Sequence, residues 1–273
     1  MTARYGALAP RRDRAVTDEL NPTLAGRVVM VTGAGQGVGA DVATYCGMVG
    51  ARVAVTARKP DAAAAVARGI NDAGGEAVDI RCDVTSRADI DHAIAETVDR
   101  FGALHGVVHN AISSFSSQPV PFENVTDENW DDQVAVALRA AFHLAQASFT
   151  HLLAAKGSFV FMLSTAGMEG SPPVPAYSTI KGAQRAFMKS MAREWGPQGV
   201  RVNGVAPIAV TPAIAAFLSR EPIAAERLAK RAALERLGDG VWDIGPPTAF
   251  LLGSESRFVT GQTLVVNGGS FMF

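Results

Sequence analysis

The stretch RVVMVTGAGQGVGA, residues 27–40, decides the fold. A β-branched apolar run ends in Thr32 and is followed at once by Gly33, Gly37 and Gly39 in a T-G-x-x-x-G-x-G arrangement that opens a helix. A glycine-rich turn at that place lets backbone amides and the positive end of the helix approach a pyrophosphate. The sequence therefore predicts a first βα unit that binds a dinucleotide, with Gly33, Gln36, Gly37, Val38 and Gly39 as its contacts.

Reading outward, short apolar runs alternate with alanine-rich helical stretches. ARVAVTAR, EAVDIRCDV, LHGVVHNA, GSFVFMLS, VRVNGVAP and QTLVVNGG join the first run as buried strands. Between them GADVATYCGMVG, DAAAAVARGINDAG, ADIDHAIAETVDRFG, the long stretch from Thr126 to Ala155, and YSTIKGAQRAFMKSMAREWG have helical periodicity. Continuous apolar strands joined by helices mean a parallel sheet covered on both faces. The prediction is an α/β fold: a single Rossmann-type, doubly wound domain with a mainly parallel seven-stranded sheet flanked by helices. Ligands of such sheets bind at the carboxyl ends of the strands.

The end of the second strand bears on which dinucleotide is bound. An acid there would accept hydrogen bonds from free ribose hydroxyls, whereas a 2′-phosphate calls for a cation. The strand ends VTARK, offering Arg58 for bidentate phosphate contact and Lys59 for added charge. Asp61 follows Pro60 and reads as a first-turn helix residue. NADP(H) is favoured over NAD(H) on this chemistry.

The chain has 273 residues, enough to bury a large core as one domain. With 48% hydrophobic residues, 19% charged residues and a formal net charge of -1, it has no electrostatic footprint for nucleic acid. Cys46 and Cys82 have neither metal-ligand spacing nor a disulfide framework, so no metal is expected and a reducing cytoplasm fits. Residues 1–23 lack the apolar run of a secretory signal and read as an N-terminal extension to a domain over 24–273. No membrane span is predicted.

Tyr177 stands four residues before Lys181 in AYSTIK, one helical turn apart. An enzyme that moves a hydride must also move a proton at the same oxygen. A tyrosine is a poor base at neutral pH, and a nearby cation favours its phenolate, so Tyr177 is expected to have a lowered pKa. Ser164, ending the strand FVFMLS thirteen residues earlier, offers a hydroxyl for a substrate carbonyl.

TGAGQGVG, CDVTS, HNA, Ser164, YSTIK, VRVNGVAP and FVTGQTLVVNGG together resemble the short-chain dehydrogenase/reductase family, from about Leu24 to Gly269. That resemblance implies Tyr177 as general acid/base, Lys181 on the nicotinamide ribose and Ser164 polarising the substrate oxygen. It also implies Asp83 and Val84 at the adenine, and Asn110 with Ala111 supporting the cofactor. A homotetramer or homodimer through the helices holding Trp130 to Leu153 and Tyr177 to Trp195 is implied as well.

The pattern breaks in three places. Ala137 stands where the family's asparagine kinks a helix and anchors a relay water; alanine predicts a straighter helix. HNAI replaces N-N-A-G, which puts Ile112 near the cofactor and His109 in a position read as structural. After the sixth strand APIAVTP departs from the usual spacing, with Thr211 four residues after Pro207; Pro207, Ile208, Val210 and Thr211 are nevertheless expected at the nicotinamide.

Residues 208–236 are expected to form a substrate lid whose apolar wall faces Met168, Val174 and Pro175. The substrate expected is a small ketone or secondary alcohol with an apolar portion, such as a 3-oxoacyl thioester, a cyclic ketone or a xenobiotic carbonyl. Two alternatives stand beside the NADP(H)-dependent enzyme: an NAD-dependent alcohol dehydrogenase, and a nucleotide-binding homologue without turnover, to which Ala137 points.

Overall fold

The computed structural model describes Asn21 and residues 23–210, 226, 227 and 229–272. β1 (Val28–Thr32), β2 (Arg52–Ala57), β3 (Glu76–Arg81), β4 (Gly106–His109), β5 (Ser158–Met162), β6 (Arg201–Pro207) and β7 (Thr263–Val266) form one seven-stranded sheet. Its order is β3-β2-β1-β4-β5-β6-β7, and every pairing is parallel. The order reverses between β1 and β4, which places the switch point, and hence the expected ligand crevice, beside the glycine turn.

Helices α1 (Gly37–Met48), α2 (Pro60–Asp72) and α8 (Gly245–Leu252) lie on one face. On the other lie α3 (Arg87–Phe101), α4 (Asp127–Gln133), α5 (Ala140–Ala155) and α7 (Pro175–Trp195); α6 (Ala166–Glu169) is a single turn. The strands are apolar on both sides because each side has its own core. Val28, Met30, Phe159 and Phe161 face one, while Val29, Val31, Val160 and Met162 face the other. Helix starts follow local chemistry: Ser86 and Thr126 accept from the third N–H beyond them and cap α3 and α4.

Three expectations are corrected or limited. The two outer strands are not buried like the rest: β3 alternates, with Asp79 exposed, and β7 is half-buried, because a sheet edge has a neighbour on one side alone. The helix through Ala137 is not straight, since Val134–Arg139 is a π-helical segment between α4 and α5. Most of the expected lid, including Thr211, lies outside the described residues, as does most of the expected extension. Leu24 is fully buried and its amide bonds the Val49 carbonyl.

Candidate active site

The glycine turn is built for close approach. Gly33 has φ of +63°, and a side chain there would come within 2.8 Å of Ala111 Cα. A side chain at Gly39 would meet the Asn110 amide and, at 2.6 Å, the Gly33 carbonyl. Asn110 ties the turn to β4, its Nδ2 donating to the carbonyls of Thr32 and Gly33 at 3.1 Å each. Gln36, at the N-cap of α1, makes no side-chain cap, so the first-turn amides of a twelve-residue helix keep their donors for an anion.

Arg58 and Lys59 follow β2 and are exposed; neither joins an ion pair among the described residues. Two free cations at this strand end, beside an uncapped helix start and a glycine cradle, fit a phosphorylated dinucleotide. Val84 is buried, and Asp83 Oδ1 is taken by the amide and hydroxyl of Thr85. At the end of β6 the amide of Ile208 donates to Val266 and that of Val210 to Gly238, both at 2.9 Å. The amides of both residues expected at the nicotinamide are thus engaged within the protein, and the Ile208 carbonyl accepts from the Gly238 amide at 3.3 Å, because the chain after Pro207 pairs with 238 and 266.

Ser164, Tyr177 and Lys181 come together at the carboxyl end of β5. The Ser164 hydroxyl, which accepts from the Ala166 amide at 3.2 Å, lies near enough to Tyr177 to favour the ionised phenol. Lys181 Nζ lies 5.7 Å from the centre of the Tyr177 ring and donates to the Met162 carbonyl at 2.6 Å. Lys181 is 3% exposed, and burial pushes its pKa from 10.5 down to about 7. The expectation of a lowered Tyr177 pKa is overturned: burial pushes the phenol up, and the Ser164 side chain offsets part of the rise. Lys181 does not bring it down: its Nζ stands 5.7 Å from the ring centre, and burial weakens its own hold on a proton.

A small cleft beside Tyr177 is lined by Phe115, Val120, Val125, Val174 and Pro175 together with the amides Gln118, Asn129 and Gln133. Val174 and Pro175 line this cleft and Met168 is half-buried against the core, while most of the lid they were expected to face lies outside the described residues. Phe115 and Val120 were not anticipated, because nothing local marks the loop after β4 as part of a site.

The sequence reading also missed a buried polar cluster. His109, 1% exposed, has its pKa pushed down to about 4 by burial; its hydrogen bond to Ala137 opposes this and the Lys181 charge adds to it. The ring is therefore neutral. His109 Nε2 faces the Ala137 carbonyl at 2.8 Å, and a carbonyl oxygen accepts, so the ring proton is on Nε2. Nδ1 is then an acceptor, 3.3 Å from the Thr32 hydroxyl. The same Ala137 oxygen accepts from Gln184 Nε2 at 3.0 Å. Gln184 is 0% exposed, and its Oε1 has no hydrogen-bond partner among the described residues, an arrangement that costs about 1–3 kcal/mol.

Comparison with known proteins agrees with this architecture. A family model described as enoyl-(acyl carrier protein) reductase matches residues 33–270. The chain is 32% identical over 253 residues to 2,5-dichloro-2,5-cyclohexadiene-1,4-diol dehydrogenase of Sphingobium indicum, covering 90% of this chain and 96% of that one. It is 34% identical over 263 residues to versicolorin reductase 1 of Aspergillus parasiticus, covering 92% and 98%. Among solved structures, gluconate 5-dehydrogenase from Burkholderia cenocepacia, in complex with NADP and tartrate, superimposes with a TM-score of 0.83 at 30% identity, covering 90% and 96%. The chain belongs to the short-chain dehydrogenase/reductase family and is an oxidoreductase acting between CH–OH and C=O groups. No helix among the described residues is long and apolar enough to cross a membrane.

Proposed function

We propose that the chain is an NADP(H)-dependent oxidoreductase interconverting a ketone and a secondary alcohol on a substrate with an apolar portion. The convergence of Ser164, Tyr177 and Lys181 beside the glycine turn carries this reading. A nicotinamide dinucleotide bound there supplies or accepts the hydride. In the reductive direction the Tyr177 hydroxyl gives its proton to the carbonyl oxygen as the carbonyl carbon gains the hydride, and Ser164 bonds the same oxygen. The phenol carries its proton at neutral pH and can therefore donate it in the reductive direction. Lys181 has further protons beyond the one given to Met162, available for the ribose hydroxyls.

Arg58 and Lys59 support the 2′-phosphate of NADP(H), and the NADP-bound gluconate 5-dehydrogenase agrees. Gly33, Gln36, Gly37, Val38 and Gly39 receive the pyrophosphate. Asp83 and Val84 flank the adenine. Asn110, Ala111, Pro207, Ile208 and Val210 border the remainder, with Thr211 outside the described residues. The apolar side of the cleft, formed by Phe115, Val120, Val125, Val174 and Pro175, supports a hydrophobic substrate portion, and the dichlorocyclohexadienediol relative supports a ring alcohol or cyclic ketone. We further propose a domain over residues 24–273 with a lid at 208–236, cytoplasmic location, and a homotetramer or homodimer through α4, α5 and α7, where Trp130 and Phe142 are exposed.

The test is NADPH oxidation against cyclic ketones, a 3-oxoacyl thioester and, as a contrast, an α,β-unsaturated thioester. Turnover of a ketone supports the reading. Turnover of the unsaturated thioester alone rejects it.

A further inference from the structure

Two side chains from distant parts of the chain meet at one carbonyl, where a helix leaves its α ladder. In the segment Val134–Arg139 the Ala140 amide is shared between the Ala135 carbonyl, five residues back, and the Ala137 carbonyl, which also takes hydrogen from His109 of β4 and Gln184 of α7. π-helical turns of this kind recur at functional sites. Alanine at 137 does not produce the turn by its own preference, and the two side-chain donors meet the carbonyl inside it.

The contacts extend to both sides. Thr32 Oγ1 accepts from the amides of Asn110 at 3.1 Å and Ala111 at 3.3 Å and faces His109 Nδ1. The other His109 nitrogen holds Ala137, which in turn holds Gln184. Tyr177, Lys181 and Gln184 stand at i, i+4 and i+7 on α7, so they share one face. A single run of hydrogen bonds therefore joins the glycine turn at the end of β1 to the helix that carries the phenol and the ammonium.

We propose that His109 and Gln184 are positioning residues for proton transfer: their joint grip on the Ala137 carbonyl fixes the α7 face bearing Tyr177 and Lys181 relative to the dinucleotide turn. The proposal rests on the roles given above to Tyr177 and Lys181. The bare Gln184 oxygen supports it. A leucine would fill the same space without leaving a buried acceptor unpaired, so the amide is retained for its nitrogen. Neutral His109 is suited to the task because its Nε2–H donates without adding a second positive charge near Lys181.

The test compares His109→Leu with His109→Gln, whose amide nitrogen reaches about as far as Nε2. His109→Leu is expected to lower kcat for ketone reduction by about ten- to a hundredfold, as small misplacements of reacting groups do, with KM and the NADPH Kd changed less than about threefold. His109→Gln restores kcat to within about threefold of the parent. Gln184→Leu lowers kcat too, and the double variant loses less than the product of the single losses. An unchanged kcat in folded His109→Leu, or a glutamine variant as impaired as the leucine one, overturns the proposal. Nitrogen NMR of His109 in the unaltered protein gives a readout without turnover. A neutral ring protonated on Nε2 is expected, and a ring protonated on Nδ1 overturns the proposal even where His109→Leu does not fold. Absence of ketone turnover in the parent, with the Nε2–H form present, instead counts against the proposed function.

Discussion

Lys181 Nζ donates to the main-chain oxygen of Met162 at 2.6 Å, fastening α7 to the last residue of β5. The ammonium is held there at a cost, because burial lowers its pKa to about 7. Between that value and the ordinary 10.5 the unfolded chain keeps a proton that the folded chain has released. The penalty is complete below pH 7 and fades as pH rises, so stability should climb across this window by up to about 1.4 kcal/mol per pH unit from this group. Lys181→Met should remove that slope. Denaturant melts of both proteins at pH 7, 8 and 9 check it, and a difference between them that does not change with pH would reject the assignment.

Arg58 should discriminate between dinucleotides. Losing a charge-assisted contact to a 2′-phosphate costs about 1.5–3 kcal/mol, or roughly ten- to more than a hundredfold in Kd. Arg58→Ala should therefore weaken NADPH by that factor and leave NADH nearly unaffected in fluorescence titrations. Equal weakening of both would remove the case for a phosphate contact and favour NAD(H).

Gly33→Ala should be damaging twice over. The residue sits at φ of +63°, and its new Cβ would press to 2.8 Å on the Ala111 main chain. Together these cost about 2–4 kcal/mol, and Tm should fall by roughly 5–15 °C, with NADPH binding lost in parallel. A variant with unchanged Tm and NADPH affinity would mean that the turn is not the rigid cradle described.

How much of this was legible in the sequence depended on how local each cause was. The glycine turn, the seven apolar strands and the Tyr177–Lys181 spacing are written in residues a few positions apart, and the structure places them together. The exposure of β3 is written in EAVDIR itself, whose Glu76, Asp79 and Arg81 are the exposed positions, whereas the half-burial of β7 follows from its place at the sheet edge, which TLVV does not encode. Alanine at 137 argued for a straighter helix, whereas the segment is π-helical and its Ala137 carbonyl is met by His109 and Gln184, 28 and 47 residues away. A histidine closing a buried strand in HNAI, with a glutamine three residues after the lysine of YSTIK, was the available signal. The direction of the Tyr177 shift was missed because sequence shows the neighbouring charge and not the depth of burial.

The central claim is that Tyr177 gives the proton that completes ketone reduction. Its most direct test is NADPH oxidation by Tyr177→Phe at pH 7, with NADPH binding followed by fluorescence in the same preparation. The account predicts that binding stays within about twofold while turnover falls by about 10²–10⁴. Turnover within a few-fold of the parent, with the phenylalanine variant folded and dinucleotide bound, would contradict it.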